Sequence, residues 1–232
     1  MSVPLGERLL EIWERGIRRH PLDRGLLLLS IARPDDVLDS LADVPIGERD
    51  RALLALRAAL FGAALESYVD CPACGTRLEF TVDADELRGA PPPPEVEVHG
   101  VRLRPPTSRD LAVALREPDE QAAERCLAQR CVLGATSGTA MLDALDPFEV
   151  QLALATADGG SDIELELSCD GCDHRWQESF DITGYLWQEI DSRARALLRE
   201  VDALARAYGW SEREILALSD ARRRSYLALV AP

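Results

Sequence analysis

The 232-residue chain has no lysine and no asparagine, and all 26 of its basic residues are arginine. A GC-rich coding bias explains that pattern without any functional meaning. Long apolar runs are also missing. The densest, residues 26–32, falls far short of the roughly 20 residues that span a bilayer. The opening MSVPLGERLLEIWERG lacks the charged-then-apolar order of a secretory signal. These absences predict a cytoplasmic product without membrane association. Catalytic signatures are lacking as well. There are three histidines, no Ser-His-Asp pattern, no HExxH and no glycine-rich phosphate loop. No enzyme and no small-molecule substrate is expected.

Positive charge is in short supply. Against 41 acidic residues the net charge is −15. It is uneven: residues 1–70 carry 9 basic and 12 acidic side chains, residues 71–184 carry 9 and 22, and residues 185–232 carry 8 and 7. A general grip on nucleic acid needs a net basic surface, so the middle region would repel DNA. What the chain does contain is ordinary for a globular protein. Its composition is 47% hydrophobic and 29% charged, and its length suits one or two domains with a real core.

Residues 5–18 have apolar side chains at helical spacing, Leu5, Leu9, Ile12, Trp13 and Ile17. Pro21 and Pro34 bracket a short apolar segment, and residues 48–65 predict a second strong helix. Polar–apolar alternation then surrounds Cys71 and Cys74. The run Gly89-Ala90-Pro91-Pro92-Pro93-Pro94 reads as a stiff linker. EVEVHGVRLR predicts a hairpin turning at His99-Gly100. Residues 107–157 read as short helices, with Thr107 or Ser108 as a cap, a helix from Glu120 through Leu133, and another opened by Asp146-Pro147. A second alternating pair surrounds Cys169 and Cys172. The tail is helical, with a seam of Ile190, Ala194, Leu197, Val201, Leu204 and Tyr208, a Gly209 stop, and a capping box of Ser211 with Glu214.

Four of the six cysteines form two C-x-x-C pairs, Cys71/Cys74 and Cys169/Cys172. A two-residue spacer lets both thiolates of a tight turn face one ion, and two such turns complete a tetrahedral site. Each pair sits between alternating segments, as in a zinc ribbon. Structural Zn2+ on Cys71, Cys74, Cys169 and Cys172 is the favoured reading. Redox pairs and disulfides are the alternatives, disulfides being disfavoured in a cytoplasmic chain. The 94 residues between the pairs must then be an insertion. Four cysteines leave no open position for catalysis. His174 is read as a residue beside the knuckle, Cys126 and Cys131 as small buried thiols, and His20 and His99 as structural.

Several segments together resemble a family of zinc-ribbon proteins encoded with phage-like contractile injection systems, grouped with the baseplate hub assembly proteins of T4-like phages. They are residues 53–62 with the following CPxCG knuckle, VRLRPPTSRDL at 101–111, and Arg130-Cys131. To these add the second knuckle with Trp176, residues 180–182 and 186–190, and the tail segments 208–212 and 222–227. The second knuckle reads CDGCDH where the family pattern is nearer CPxCGH, which puts its turn geometry in question. The relation to the T4 hub protein itself is expected to rest mainly on the part after the linker.

The resemblance implies a non-enzymatic assembly factor or minor structural component of a baseplate or hub, with baseplate, hub or spike proteins as partners. The expected fold is α+β and mainly helical, with a zinc ribbon made by two distant hairpin knuckles around a helical insertion. The expected regions are 1–66 (N-terminal helices), 67–88 with 162–183 (ribbon halves), 95–160 (insertion) and 184–232 (C-terminal helices). Partner contacts are expected on those last helices, through Trp187, Ile190, Leu197, Leu204, Tyr208, Trp210 and an exposed Arg222, Arg223 and Arg224. Aromatic and arginine side chains are favoured at interfaces. The alternative is a zinc-ribbon, helix-turn-helix DNA binder using the same arginines. It is opposed by the net charge and by the acidic character of the helix at 212–218.

Overall fold

The computed structural model describes residues 5–89, 91, 93–134, 141, 142, 144–159 and 163–230. Of the predicted linker, Ala90 and Pro92 lie outside the described residues. The architecture is mainly helical α+β. In chain order the elements are α1 (Leu5–Gly16), α2 (Pro21–Ala32), α3 (Leu38–Leu41), α4 (Ile46–Phe61), β1 (Ala64–Asp70), β2 (Arg77–Asp83), α5 (Ala84–Leu87), β3 (Val96–Val98) and β4 (Val101–Leu103). They continue with α6 (Ser108–Ala114), α7 (Glu120–Cys131), β5 (Val132–Leu133), α8 (Pro147–Asp158), β6 (Glu164–Ser168), β7 (Arg175–Ser179), α9 (Ile182–Tyr208), α10 (Glu212–Leu216) and α11 (Asp220–Val230). The chain divides into two compact units, Leu28–Thr183 and, from the two chain ends, Met1–Leu27 with Gly184–Pro232. Among the described residues no helix is long and apolar enough to cross a membrane.

Local chemistry sets most of the element boundaries. Thr107 and Asp110 form a capping box at the start of α6, and Ser211 and Glu214 form another at α10. Asp119 caps α7, and Asp146 caps α8 ahead of Pro147. The Nδ1 of His20 accepts from the Leu22 backbone at 3.2 Å in the first turn of α2. The predicted apolar segment after Pro21 is thus a full helix. The predicted helix over 48–65 ends at Phe61, because Gly62 turns to φ 95° and the chain then enters β1. The β3–β4 hairpin turns on His99 and Gly100, both at positive φ, as a tight two-residue hairpin requires.

One predicted helix is shorter at its C-terminus for a tertiary reason. It ends at Cys131, and Val132 and Leu133 pair with Leu103 and Arg102 as the third strand of the sheet. The Cys131 carbonyl accepts from the Arg104 backbone at 2.9 Å. Without β5, β4 would keep an unpaired edge, and helical propensity yields to that demand.

In unit Leu28–Thr183 the core joins this sheet to α7 and α8. Val101, Leu103, Ala128, Cys131, Leu142 and Val150 are buried together. Two buried carboxylates tie distant segments to it. Asp110 accepts from Arg104 at 2.7 and 3.1 Å, from Arg130 at 2.9 Å, and from the Thr107 hydroxyl at 2.8 Å. Burial pushes this carboxyl up, but the bonds from Arg104 and Thr107 outweigh it and hold it below the usual range. Asp158, at the C-terminal end of α8, accepts from the Gly47 backbone at 2.7 Å and so supplies a cap to the first turn of α4. Nearby, Asp50 is pushed up by burial against the pull of Arg49, which donates to it at 2.7 Å.

The unit made from the chain ends is helical. Leu9 and Leu10 of α1, Leu27 of α2, Ile190, Ala194, Leu197 and Leu204 of α9, and Ile215 and Leu216 of α10 are all buried. The Trp13 indole donates to Asp191 at 2.7 Å. Arg24 donates to the Gly16 and Ile17 carbonyls at 3.0 Å, closing the end of α1, and its guanidinium lies 4.6 Å above the Trp187 ring.

The contact of α4 with α8 yields a test. A Cβ on Gly47 would lie 1.8 Å from the Asp158 carbonyl oxygen, a clash with backbone that cannot swing aside. Gly47→Ala should therefore reach or exceed the upper end of the roughly 1–3 kcal/mol typical of overpacking. A melting temperature within about 2 °C of the parent would contradict this contact.

Candidate metal centre

The site is built by two β-hairpins whose turns have the same backbone construction. In the first, between β1 and β2, the Cys71 N–H donates to the Thr76 carbonyl at 2.9 Å and the Gly75 N–H donates to the Cys71 carbonyl at 2.8 Å. In the second, between β6 and β7, the Cys169 N–H donates to the His174 carbonyl at 2.9 Å and the Asp173 N–H donates to the Cys169 carbonyl at 2.8 Å. The residue four after the first cysteine has positive φ in both turns, Gly75 at 73° and Asp173 at 56°. The second turn thus keeps the geometry of the first without a proline after its first cysteine or a glycine after its second, because aspartate tolerates the left-handed region better than most residues.

The sulfur atoms of Cys71, Cys74, Cys169 and Cys172 all lie within 4.8 Å of one another. The Cys71 Sγ is 3.7 Å from the Cys172 Sγ, and the Cys74 Sγ is 3.6 Å from the Cys169 Sγ. A tetrahedron with metal–sulfur bonds of about 2.3 Å has sulfur–sulfur edges of about 3.8 Å. The cluster is therefore the size of a tetrahedral four-thiolate site, and its donors suit a soft or borderline-soft ion. Each hairpin supplies one buried and one exposed cysteine: Cys71 and Cys169 are inside, Cys74 and Cys172 outside. Gly171 allows the close approach, since a Cβ there would lie 3.0 Å from the Thr76 hydroxyl of the other knuckle.

The four thiols do not ionise alike. The Thr76 hydroxyl, 3.3 Å from the Cys74 sulfur, favours the thiolate and pulls Cys74 down to about 6. At Cys172 the His174 backbone favours the thiolate, but the neighbouring cysteines hold the proton and push it up to about 12. Burial raises Cys169. Sulfurs this crowded resist becoming four anions unless a cation shares their charge.

The other candidates stand elsewhere. His174 contributes its backbone to the knuckle, and its ring stacks on Trp176 with centroids 5.8 Å apart. Burial pushes the Cys131 thiol up to about 12, as expected of an inert core thiol, and Cys126 is half-buried. His99 meets Glu149 at 3.0 Å. Of the residues expected to face a partner, Trp187, Ile190, Leu197 and Leu204 are buried in their own unit. Their seam is consumed by packing within the unit. Arg223 is a correction to the exposed arginine set. It is 2% exposed and donates to Glu200 and Asp220, each at 2.6 Å. Arg222 and Arg224 are exposed, Tyr208 is partly exposed, and Trp210 is half-buried, with Tyr208 and Trp210 stacked at 4.6 Å.

Sequence reasoning missed Asp158 as a cap, Asp173 as the left-handed turn residue, and the ion pairs of Arg223. Asp173 carried a local signal, its position matching Gly75 in the other knuckle, and Asp220 stands at the helical i,i+3 spacing from Arg223.

Residues 31–133 match the family model described as T4 bacteriophage base plate protein. The match runs from α2 through the first knuckle and across the linker to β5, and stops short of the second knuckle. The expectation that the likeness lies mainly after the linker is corrected, since more of the matched stretch precedes it. No curated protein and no solved structure matches the chain.

Asp173→Gly should leave the fold unchanged and raise its stability by no more than about 1 kcal/mol, whereas Asp173→Val should lower it by at least that amount. Urea midpoints at constant m-value would measure both. Equal loss in the two variants would mean that the side chain, not the backbone angle, matters at this position.

Proposed function

We propose that this chain is a non-enzymatic assembly factor or minor structural component of the baseplate or hub of a phage-like contractile injection system. In this reading it acts by binding other baseplate, hub or spike proteins. The observation that carries the reading is the match of residues 31–133 to the T4 bacteriophage base plate protein model. The net charge of −15 favours protein partners over nucleic acid. Of the residues expected on the C-terminal helices to face a partner, Tyr208, Trp210, Arg222 and Arg224 keep exposed surface.

In the same reading Cys71, Cys74, Cys169 and Cys172 hold structural zinc. Four protein sulfurs fill a tetrahedral shell and leave no position for a reacting water, so the ion would clamp the chain rather than catalyse. Its role is to fix the two ends of the stretch between the knuckles.

Two measurements test these claims. Protein purified without chelator should carry one zinc per chain by elemental analysis, and Cys169→Ser should lose it. Structural zinc is worth on the order of 10 kcal/mol in small zinc-finger peptides. The variant should therefore be heavily destabilised, while its N-terminal helices keep their circular dichroism. Metal-free, fully stable parent protein would remove the zinc claim. Separately, the tagged chain purified from cells that make the injection system should bring down baseplate, hub or spike proteins, and Arg222→Ser with Arg224→Ser should weaken that recovery. Recovery of none of them, together with salt-sensitive DNA binding, would overturn the baseplate reading.

A further inference from the structure

The helix α8, PFEVQLALATAD, carries apolar side chains on two sides, with Glu149, Gln151 and Thr156 exposed beside them. An apolar stripe on a helix normally packs against a neighbour. Here only one side is covered. Val150, Ala153 and Leu154 pack on the core of the unit, and Ala157 is fully buried. On the opposite side Phe148 is 69% exposed and Leu152, one turn later, is 60% exposed. Met141 adds a third apolar side chain at 49% exposure.

The surroundings choose the occupant. Glu120 and Glu124 on α7, and Asp146 and Glu149 at the start of α8, are exposed, against one exposed arginine on these two helices, Arg125. Glu149 also faces His99 at 3.0 Å. The unit Leu28–Thr183 as a whole carries 30 acidic and 13 basic residues. A second copy would bring the same carboxylates against themselves, and an anionic lipid surface would be repelled. The complementary surface is apolar at its centre and basic at its rim.

We propose that the Phe148–Leu152 face of α8 docks an amphipathic helix of another protein, one whose apolar stripe is flanked by lysine or arginine. The apolar stripe covers Phe148 and Leu152, and its basic flanks meet Asp146 and Glu149. This extends the baseplate reading by giving one partner's chemistry, and it rests on that reading only for the cells in which it is tested.

Photoreactive benzoylphenylalanine placed at position 148 and, separately, at 152 of the full chain, in cells making the injection system, tests this. Position 164, exposed on β6, is the control. Adducts at 148 and 152 but not at 164 are expected. Their partner peptides should map to a helix with net positive charge and an apolar stripe. Phe148→Ser with Leu152→Ser removes only exposed side chains, so it should keep the parent melting temperature and bind the identified protein at least about 30-fold more weakly. No adduct above the control, an adduct to a second copy, or an adduct to an acidic or wholly polar segment would overturn the proposal. An adduct to a basic amphipathic helix in a protein foreign to the baseplate would support the docking face and contradict the baseplate reading. A baseplate protein recovered with the chain but never crosslinked at these positions would do the reverse.

Discussion

The structure depends on one closure: two hairpin turns, 94 residues apart in sequence, brought together so that four sulfurs occupy the corners of a small tetrahedron. Closing a loop of that length costs chain entropy that rises only slowly with length, so a long insertion is tolerable if its ends are held firmly. Each two-stranded hairpin is marginal alone, since two strands have no second layer to cover them. A shared ion would join them without requiring a large apolar interface. It would also settle the electrostatics, because the neighbouring thiols otherwise push Cys172 up while Cys74 is pulled down.

The stretch between the knuckles is held by a second set of links, independent of sulfur. Asp110 gathers Arg104, Arg130 and Thr107, so the strand edge, α6 and α7 share one buried carboxylate. Removing one member of such a group leaves buried charge without a partner, which is costly even where the intact group adds little net stability. Asp158 does comparable work between α8 and α4, where only glycine at position 47 allows the approach. The likeness to the base plate protein model covers α4 and the Asp110 group and ends before α8. The apolar, half-covered helix α8 therefore lies in the part of the chain outside that likeness.

What was legible in the sequence was what local chemistry decides. The cysteine spacing located the cluster, the Thr107 and Ser211 boxes located helix starts, Asp146-Pro147 opened α8, and His99-Gly100 turned the hairpin. What was not legible depends on residues distant in sequence. Val132 and Leu133 continue a helical pattern and become strand because β4 needs a neighbour. Arg223 sits in an exposed-looking basic triplet, yet Glu200, far back along the chain, holds it inside together with the neighbouring Asp220. The α9 seam reads equally well as a partner surface or as core, and α1 decides the matter: a Cβ on Gly6 would lie 3.2 Å from the Leu197 side chain. Periodicity identifies an apolar face without saying what covers it.

The central claim is that one ion closes the fold through sulfur alone. X-ray absorption at the zinc edge of the purified, full-length protein tests it most directly. The account predicts a single shell of four sulfurs at about 2.3 Å with no nitrogen or oxygen neighbour. A shell containing nitrogen or oxygen at about 2.0–2.1 Å would contradict it, as it would mean that a histidine, carboxylate or water, and not the fourth cysteine, completes the site.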